Sequence, residues 1–169
     1  MQSEISELIR NADLSSSEGL AEQLQEATLV LLRNSASWTH VCASSQEVKG
    51  REKAEIIFQE FSVSERSKFS SETLSNVNGQ IREREAVSPE SDKTADYIVV
   101  TLLVGTEDDK PLFAEVNTLA ELESALKRIA ATPPDYLLTF ELLLSPQEES
   151  DYLSYDELLT EYQEMRLLV

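Results

Sequence analysis

The segment Tyr97–Val104, Tyr-Ile-Val-Val-Thr-Leu-Leu-Val, constrains this chain more than any other stretch. It is almost continuously apolar and rich in β-branched side chains, which lose rotamer freedom in a helix and pack well on a pleated surface. A strand without polar alternation must be covered on both faces. Tyr136–Leu144 is a second segment of the same kind, closed by Ser145-Pro146. Between them, Thr118 and Glu121 stand at capping-box spacing. A stripe of Leu119, Leu122, Ala125, Leu126 and Ile129 follows, and Pro133-Pro134 stops it. Strand, helix and strand in this order predict parallel pairing of 97–104 with 136–144 through a right-handed crossover. Gly105–Lys110, with Glu107-Asp108-Asp109, reads as a turn, and Pro111–Val116 as a returning hairpin strand. Ser154 with Glu157 opens a last short helix through Leu158, Leu159 and Tyr162.

The first half is helical. Ile5, Leu8, Ile9 and Ala12 form one amphipathic stripe, and Leu20, Leu24, Ala27 and Leu31 another, behind a Ser15–Glu18 capping box. Ser35–Ser45 is ambiguous between a short strand and a buried loop around Trp38, Val41 and Cys42. Lys49 to Phe61 reads as a helix with Ala54, Ile57, Phe58 and Phe61 inward. Ser64-Glu65-Arg66 starts another, with Phe69, Thr73, Leu74 and Val77 on one face and a stop at Asn78-Gly79. Residues 82–95 are charged and aperiodic, a loop. The expected fold class is α+β: N-terminal helices packed on a small mixed sheet of order β-β-α-β-α in the C-terminal half. The expected organisation is a single domain over 1–169, with a helical half 1–81, the loop 82–95 and a mixed half 96–169.

Charge narrows the function classes. The chain's 169 residues carry a formal charge of −18. Residues 1–94 hold 16 acidic and 10 basic side chains; residues 95–169 hold 16 acidic and only 4 basic, a net of −12. A phosphate backbone is bound by cations that replace its counterions, so nucleic acid is excluded as a partner, and anionic headgroups are disfavoured alike. A basic protein partner or divalent cations suit this charge; so does plain solubility. No stretch approaches the ~20 apolar residues that span a bilayer. The opening Met1-Gln2-Ser3-Glu4 has neither the basic nor the apolar region of a signal or transit peptide. The expectation is therefore a chain that is soluble as given, without direct membrane insertion, in a reducing compartment.

Candidate chemistry is sparse. One Cys (Cys42) and one His (His40) leave no disulfide, zinc finger, iron–sulfur cluster or poly-His site. His40 and Cys42, two apart, would share a face in a strand and could form a nucleophilic pair, but no signature surrounds them, and a lone Cys is more often a small buried hydrophobe. With four Gly there is no Walker loop or dinucleotide fingerprint, and no Gly-x-Ser-x-Gly occurs. No cofactor, catalytic residue or metal ligand is expected. The acidic clusters Glu107-Asp108-Asp109 and Glu148-Glu149-Ser150-Asp151 lack EF-hand spacing and read as solvated surface or as an interaction surface. Arg66 is a basic contact point on an acidic protein, or an exposed residue of a helix start. The favoured function is a non-catalytic interaction or regulatory domain. The alternatives are an enzyme with an unfamiliar carboxylate or Cys/His site, and a divalent-cation or pH sensor.

Several segments look familiar together. They are Glu18-Gly19-Leu20 leading to Leu31-Leu32-Arg33, Ser64–Phe69 followed by Glu72–Val77, Tyr97–Thr106, Ser145-Pro146-Gln147, and Leu153–Tyr162. Over nearly its whole length the chain resembles a cyanobacterial and plastid family once labelled myelin-associated oligodendrocyte basic protein-like, with plant members tied to acclimation to fluctuating light. The resemblance implies a photosynthetic source and a place at the cytoplasmic side of the thylakoid or the stromal surface of plastid membranes. It also implies a part in light acclimation, with a partner in a photosynthetic membrane complex. Members carry hydrophobic segments and a Gly/Ser-rich stretch ahead of this region, which this sequence lacks; it is either the excised soluble domain or a short soluble relative. The family brings no catalytic residues to carry over, and the label's "basic" is at odds with the charge of −18.

Overall fold

A computed structural model describes residues 1–11, 15–77, 96–146 and 151–169, with side chains of 69–77 left aside. The order is α1 (Gln2–Asn11), α2 (Ser17–Arg33), a 3-10 turn (Ser35–Ser37), β1 (His40–Val41), α3 (Arg51–Val77), β2 (Val99–Thr106), α4 (Leu119–Ala130), β3 (Leu137–Ser145), α5 (Tyr155–Glu161) and β4 (Arg166–Leu167). The fold is α+β, as the periodicities predict.

Helices begin where side chains satisfy the free N–H groups of the first turn. In α4 the Thr118 hydroxyl accepts from Glu121 N, while the Glu121 carboxylate accepts from Asn117 N and Thr118 N. Those two backbone bonds hold the Glu121 carboxyl below its usual pKa. Ser154 and Glu157 repeat the box in α5. At α2 the cap is Ser16, which accepts from Gly19 N at 3.0 Å, one residue beyond the expected Ser15–Glu18 box. Gly50, with φ +93°, turns the chain into α3 in the left-handed region that glycine tolerates.

β2 and β3 form an antiparallel ribbon, with Val100 opposite Leu144, Leu102 opposite Leu142 and Val104 opposite Phe140. This corrects the parallel pairing expected from the strand–helix–strand order. No strand forms over 111–116 either. That segment runs irregularly back along the molecule, tucking Leu112, Phe113 and Val116 against buried residues. It adds one traverse to the connection. α4 then ends beside the strand end where β2 finished, and β3 must start there and run the opposite way. A helix alone would have returned the chain to the other end.

Side chains alternate along the ribbon. Val100, Leu102, Val104, Phe140, Leu142 and Leu144 face one layer, where they meet Ile5 of α1, Leu24, Val30 and Leu31 of α2, and Leu126 and Ile129 of α4. Each fully buried aliphatic side chain here contributes about 1.5–3 kcal/mol. Thr28, wholly buried in α2, returns its hydroxyl to Leu24 O and Gln25 O at 2.9 and 2.8 Å. Trp38 donates its indole N–H to Leu31 O at 3.1 Å, which fixes the turn after α2.

α3 crosses the opposite face. It is one continuous helix, where two were expected with a start at Ser64. Ser64 lies inside this helix, its carbonyl accepting from the Ser67 hydroxyl at 2.7 Å, and nearby Ser62 is buried and donates to Glu141 Oε2 at 2.7 Å. A local bond at Ser67 and a tertiary one at Ser62 each satisfy a serine hydroxyl within the helix. Phe61, expected inward, is 44% exposed, while Phe58 packs beside Gly105. A Cβ at Gly105 would come within 3.2 Å of Thr139 Cγ2 and 3.8 Å of Phe58, so the missing side chain allows α3 to approach. Ile9 of α1, placed on an inward stripe, is 41% exposed.

The last elements close the fold. Tyr97 and Leu153 form an isolated bridge, and Val99, Leu153, Leu158 and Tyr162 make a small separate core. β4 pairs antiparallel with β1, His40 opposite Leu167 and Val41 opposite Arg166. The stop at Asn78-Gly79, the loop 82–95, Ala12 and residues Glu148 and Glu149 lie outside the described residues.

Candidate functional site

The acidic turn after β2 lies at the mouth of a cleft of about 560 Å³. Three pieces of chain meet there. The end of β2 and its turn supply Thr106, Glu107, Asp108 and Asp109; the last turn of α4 supplies Arg128 and the segment after it Ala131, Thr132 and Pro133; Leu112 and Tyr136 complete the wall. Backbone bonds hold these pieces together: Glu107 N donates to Tyr136 O at 2.8 Å, and Tyr136 N to Pro133 O at 3.0 Å. Arg128 Nη1 donates to Leu112 O at 3.1 Å, tying the returning segment to α4. Glu107, Asp108 and Asp109 are exposed, and the C-terminal end of α4 adds the negative pole of its dipole. Arg128 offsets one of the three carboxylates. Thr132 is 7% exposed, and its hydroxyl has no hydrogen-bond partner among the described residues.

Sequence reasoning singled out the carboxylates and missed Arg128, Thr132 and Tyr136. A usable signal was present in the Pro133-Pro134 stop, which fixes where α4 ends and which residues its last turn presents. The other acidic candidate, Asp151, does not join this cleft; its carboxylate accepts from Tyr152 N, and its carbonyl from the Gln2 side chain. Arg66 is a structural contact on the ribbon's outer face, where its guanidinium reaches Glu141 Oε1 at 2.5 and 2.7 Å while staying 61% exposed.

The His40–Cys42 pair is not assembled for nucleophilic work. Among the described residues no hydrogen bond joins the two. The His40 ring packs against Tyr97 and Tyr155 at 5.9 and 6.4 Å, and its Nδ1 lies 2.8 Å from the Thr39 hydroxyl. Cys42 is exposed rather than the buried hydrophobe expected of a lone cysteine; partial desolvation, then the Glu164 carboxylate, still push its thiol up, against smaller opposing effects of Lys68 and Arg166. A catalytic thiolate needs the reverse. Among the described residues, no three His, Cys, Asp or Glu side chains come close enough to hold a metal ion, and no helix is long and apolar enough to cross a membrane.

Relatives place these features in a family. The chain is 36% identical over 176 residues to Protein FLAP1 homolog A of Synechocystis sp., an alignment covering 99% of this chain and 52% of that protein. It is 38% identical over 169 residues to the chloroplastic FLUCTUATING-LIGHT-ACCLIMATION protein 1 of Arabidopsis thaliana, covering 99% of this chain and 43% of that one. The chain thus spans about half the length of these relatives. No solved structure matches it. The sequence profile described as Protein of unknown function (DUF1517) matches residues 1–168, and the chain belongs to that family.

Proposed function

We propose that this chain is a non-catalytic docking and regulatory domain in light acclimation, working at the surface of a photosynthetic membrane through a basic protein partner. The names of its cyanobacterial and chloroplastic relatives support the acclimation role. The observation that carries the docking role is uncompensated charge. Residues 95–169 hold 16 acidic side chains against 4 basic ones. Among the described residues of this half, only Glu141 and Glu164 form ion pairs with a cationic side chain. Such a surface steers a basic partner and makes association salt-sensitive.

The test is a tagged pull-down from detergent-solubilised membranes of a photosynthetic source, at low and high salt. The expected result is a stoichiometric basic protein lost at high salt. Binding that ignores salt, or no partner at any salt, overturns the reading.

A further inference from the structure

We infer that the ring cluster at the start of α5, with the β1–β4 pair beside it, is a docking patch for an arginine side chain of that basic partner. The inference rests on the docking role and names where it acts. Three distant segments bring the rings together. His40 comes from β1, Tyr97 from the bridge before β2, and Tyr155 from the first turn of α5. Their centroids lie 5.9, 6.0 and 6.4 Å apart, close to an equilateral triangle. Tyr155 is tilted 40° from Tyr97 and 49° from His40 rather than stacked on either, and with 46% exposure it leaves ring surface in solvent. Leu167 stands opposite His40 in the two-residue ladder, on the same side of it, and Leu159 follows Tyr155 by one helical turn. Both leucines are exposed, so the rings and the aliphatic side chains form one apolar surface open to a partner.

Charge decides what covers this surface. Residues 151–165 carry five carboxylates, Asp151, Asp156, Glu157, Glu161 and Glu164, and no Lys or Arg. Glu157 is engaged in the α5 cap and Glu164 reaches Lys68 at 3.8 Å, while Asp151, Asp156 and Glu161 have no cationic partner among the described residues. Arg166 comes next in the chain, but its register opposite Val41 turns it to the other side of the ladder from Leu167. A second copy of this chain would set the carboxylates against one another, and an uncharged apolar partner would desolvate them without pairing them. A cation pairs with the carboxylates and is also drawn to tyrosine ring faces. Arginine fits better than lysine, because its planar guanidinium stacks on a ring while its N–H groups reach a carboxylate. Leu159 and Leu167 offer apolar surface to its aliphatic stem.

Titration of the ¹⁵N-labelled chain with hexa-arginine and with hexa-lysine peptides at roughly 20 mM salt tests this, since exposed charges are little screened there. The arginine peptide should bind about fivefold tighter than the lysine peptide, with amide shifts concentrated at 39–41, 96–98 and 154–160. Tyr155→Ala should weaken the arginine peptide about fivefold, and Tyr155→Phe, which keeps the ring, less than about twofold. Tyr136→Ala removes a tyrosine of similar exposure that also stands near carboxylates, those of Glu107–Asp109, and should leave affinity within about twofold. Equal affinity for the two peptides, shifts spread over the whole acidic surface, Tyr155→Phe as damaging as Tyr155→Ala, or Tyr136→Ala as damaging as Tyr155→Ala would each overturn the proposal. The peptide comparison and the shift map use the wild type, so they stand even where Tyr155→Ala loosens α5. The two readings separate in the pull-down. Salt-sensitive capture unaffected by Tyr155→Ala overturns the ring patch and keeps the docking role. No capture by the wild type, with the arginine peptide still seated at 154–160, overturns the docking role and keeps the patch's affinity for guanidinium.

Discussion

The two faces of the β2–β3 ribbon are built on different physics. One is apolar and is covered by α1, α2 and α4, with Leu24, Leu144 and Ile5 at 3% exposure or less. The other lies under α3, and the contacts that fix the helix there are largely polar: Ser62 and Arg66 on Glu141, and Thr101 donating to Glu65 Oε2 at 3.4 Å. Glu65 also pairs with Lys68 at 2.8 Å, and Lys68 lies over the Tyr162 ring at 4.8 Å. Dispersion and burial are indifferent to small rotations, so the apolar face supplies most of the stability. Directional bonds add little net energy but fix the position of α3 over the ribbon. One strand therefore takes part in both kinds of packing, with alternate residues committed to each.

The sharpest test uses neighbours on β3. Leu144→Ala, on the apolar face, should cost about 3 kcal/mol by urea denaturation, whereas Leu143→Ala on the α3 face should cost roughly 1 kcal/mol. Equal costs would erase the distinction. The apolar layer also depends on α4 starting correctly. Thr118→Ala should cost about 1 kcal/mol at neutral pH, read as a drop in Tm. Because the Glu121 carboxyl is held low, its share of this cap is present above the unfolded carboxylate pKa and is lost as pH falls through the folded value. Glu141→Gln, which weakens two of α3's three polar anchors, should cost about 0.5–1 kcal/mol, and molar salt should shrink the difference because Arg66 is largely exposed. The smallest effect belongs to Cys42. Its raised pKa keeps the folded thiol protonated after the unfolded one has ionised. That contribution is full below the unfolded thiol's pKa of about 8.5 and fades as pH rises through the folded value. Stability should thus fall more steeply on the alkaline side for the wild type than for Cys42→Ser; parallel curves would remove the shift.

Much of this was legible in the residues. The stripe of Leu24, Ala27 and Leu31 lies in the core, and the Thr118 and Ser154 boxes sit at their helix starts because both depend only on local spacing. The continuous apolar run of β2 correctly announced cover on both faces. Strand direction was not legible, since it depends on how many times the connection crosses the molecule, and the irregular traverse around Leu112–Val116 carries no periodic signal. α3's continuity was hidden for a related reason. Ser64 looks like a helix start in the sequence, and only the fold shows the helix running through it while nearby Ser62 spends its hydroxyl on Glu141. In the cleft, the carboxylates announced themselves by composition, while Thr132 and Tyr136 matter only through being brought beside them.

The pairing of β4 with β1 has a kinetic consequence. Two residues on each side form a ladder too short to be stable alone, yet Leu168 N reaches Thr39 O at 2.9 Å and Val169 N reaches Asn117 O at 3.2 Å. These contacts join the chain around residue 40 to that around residue 167, so forming them closes a long loop and raises the contact order. During synthesis, residues 39–41 must wait, unpaired, until residues 166–169 have left the ribosome. Among the described strand pairings this one is therefore the last that can form, and with Leu167 65% exposed it is among the first to open.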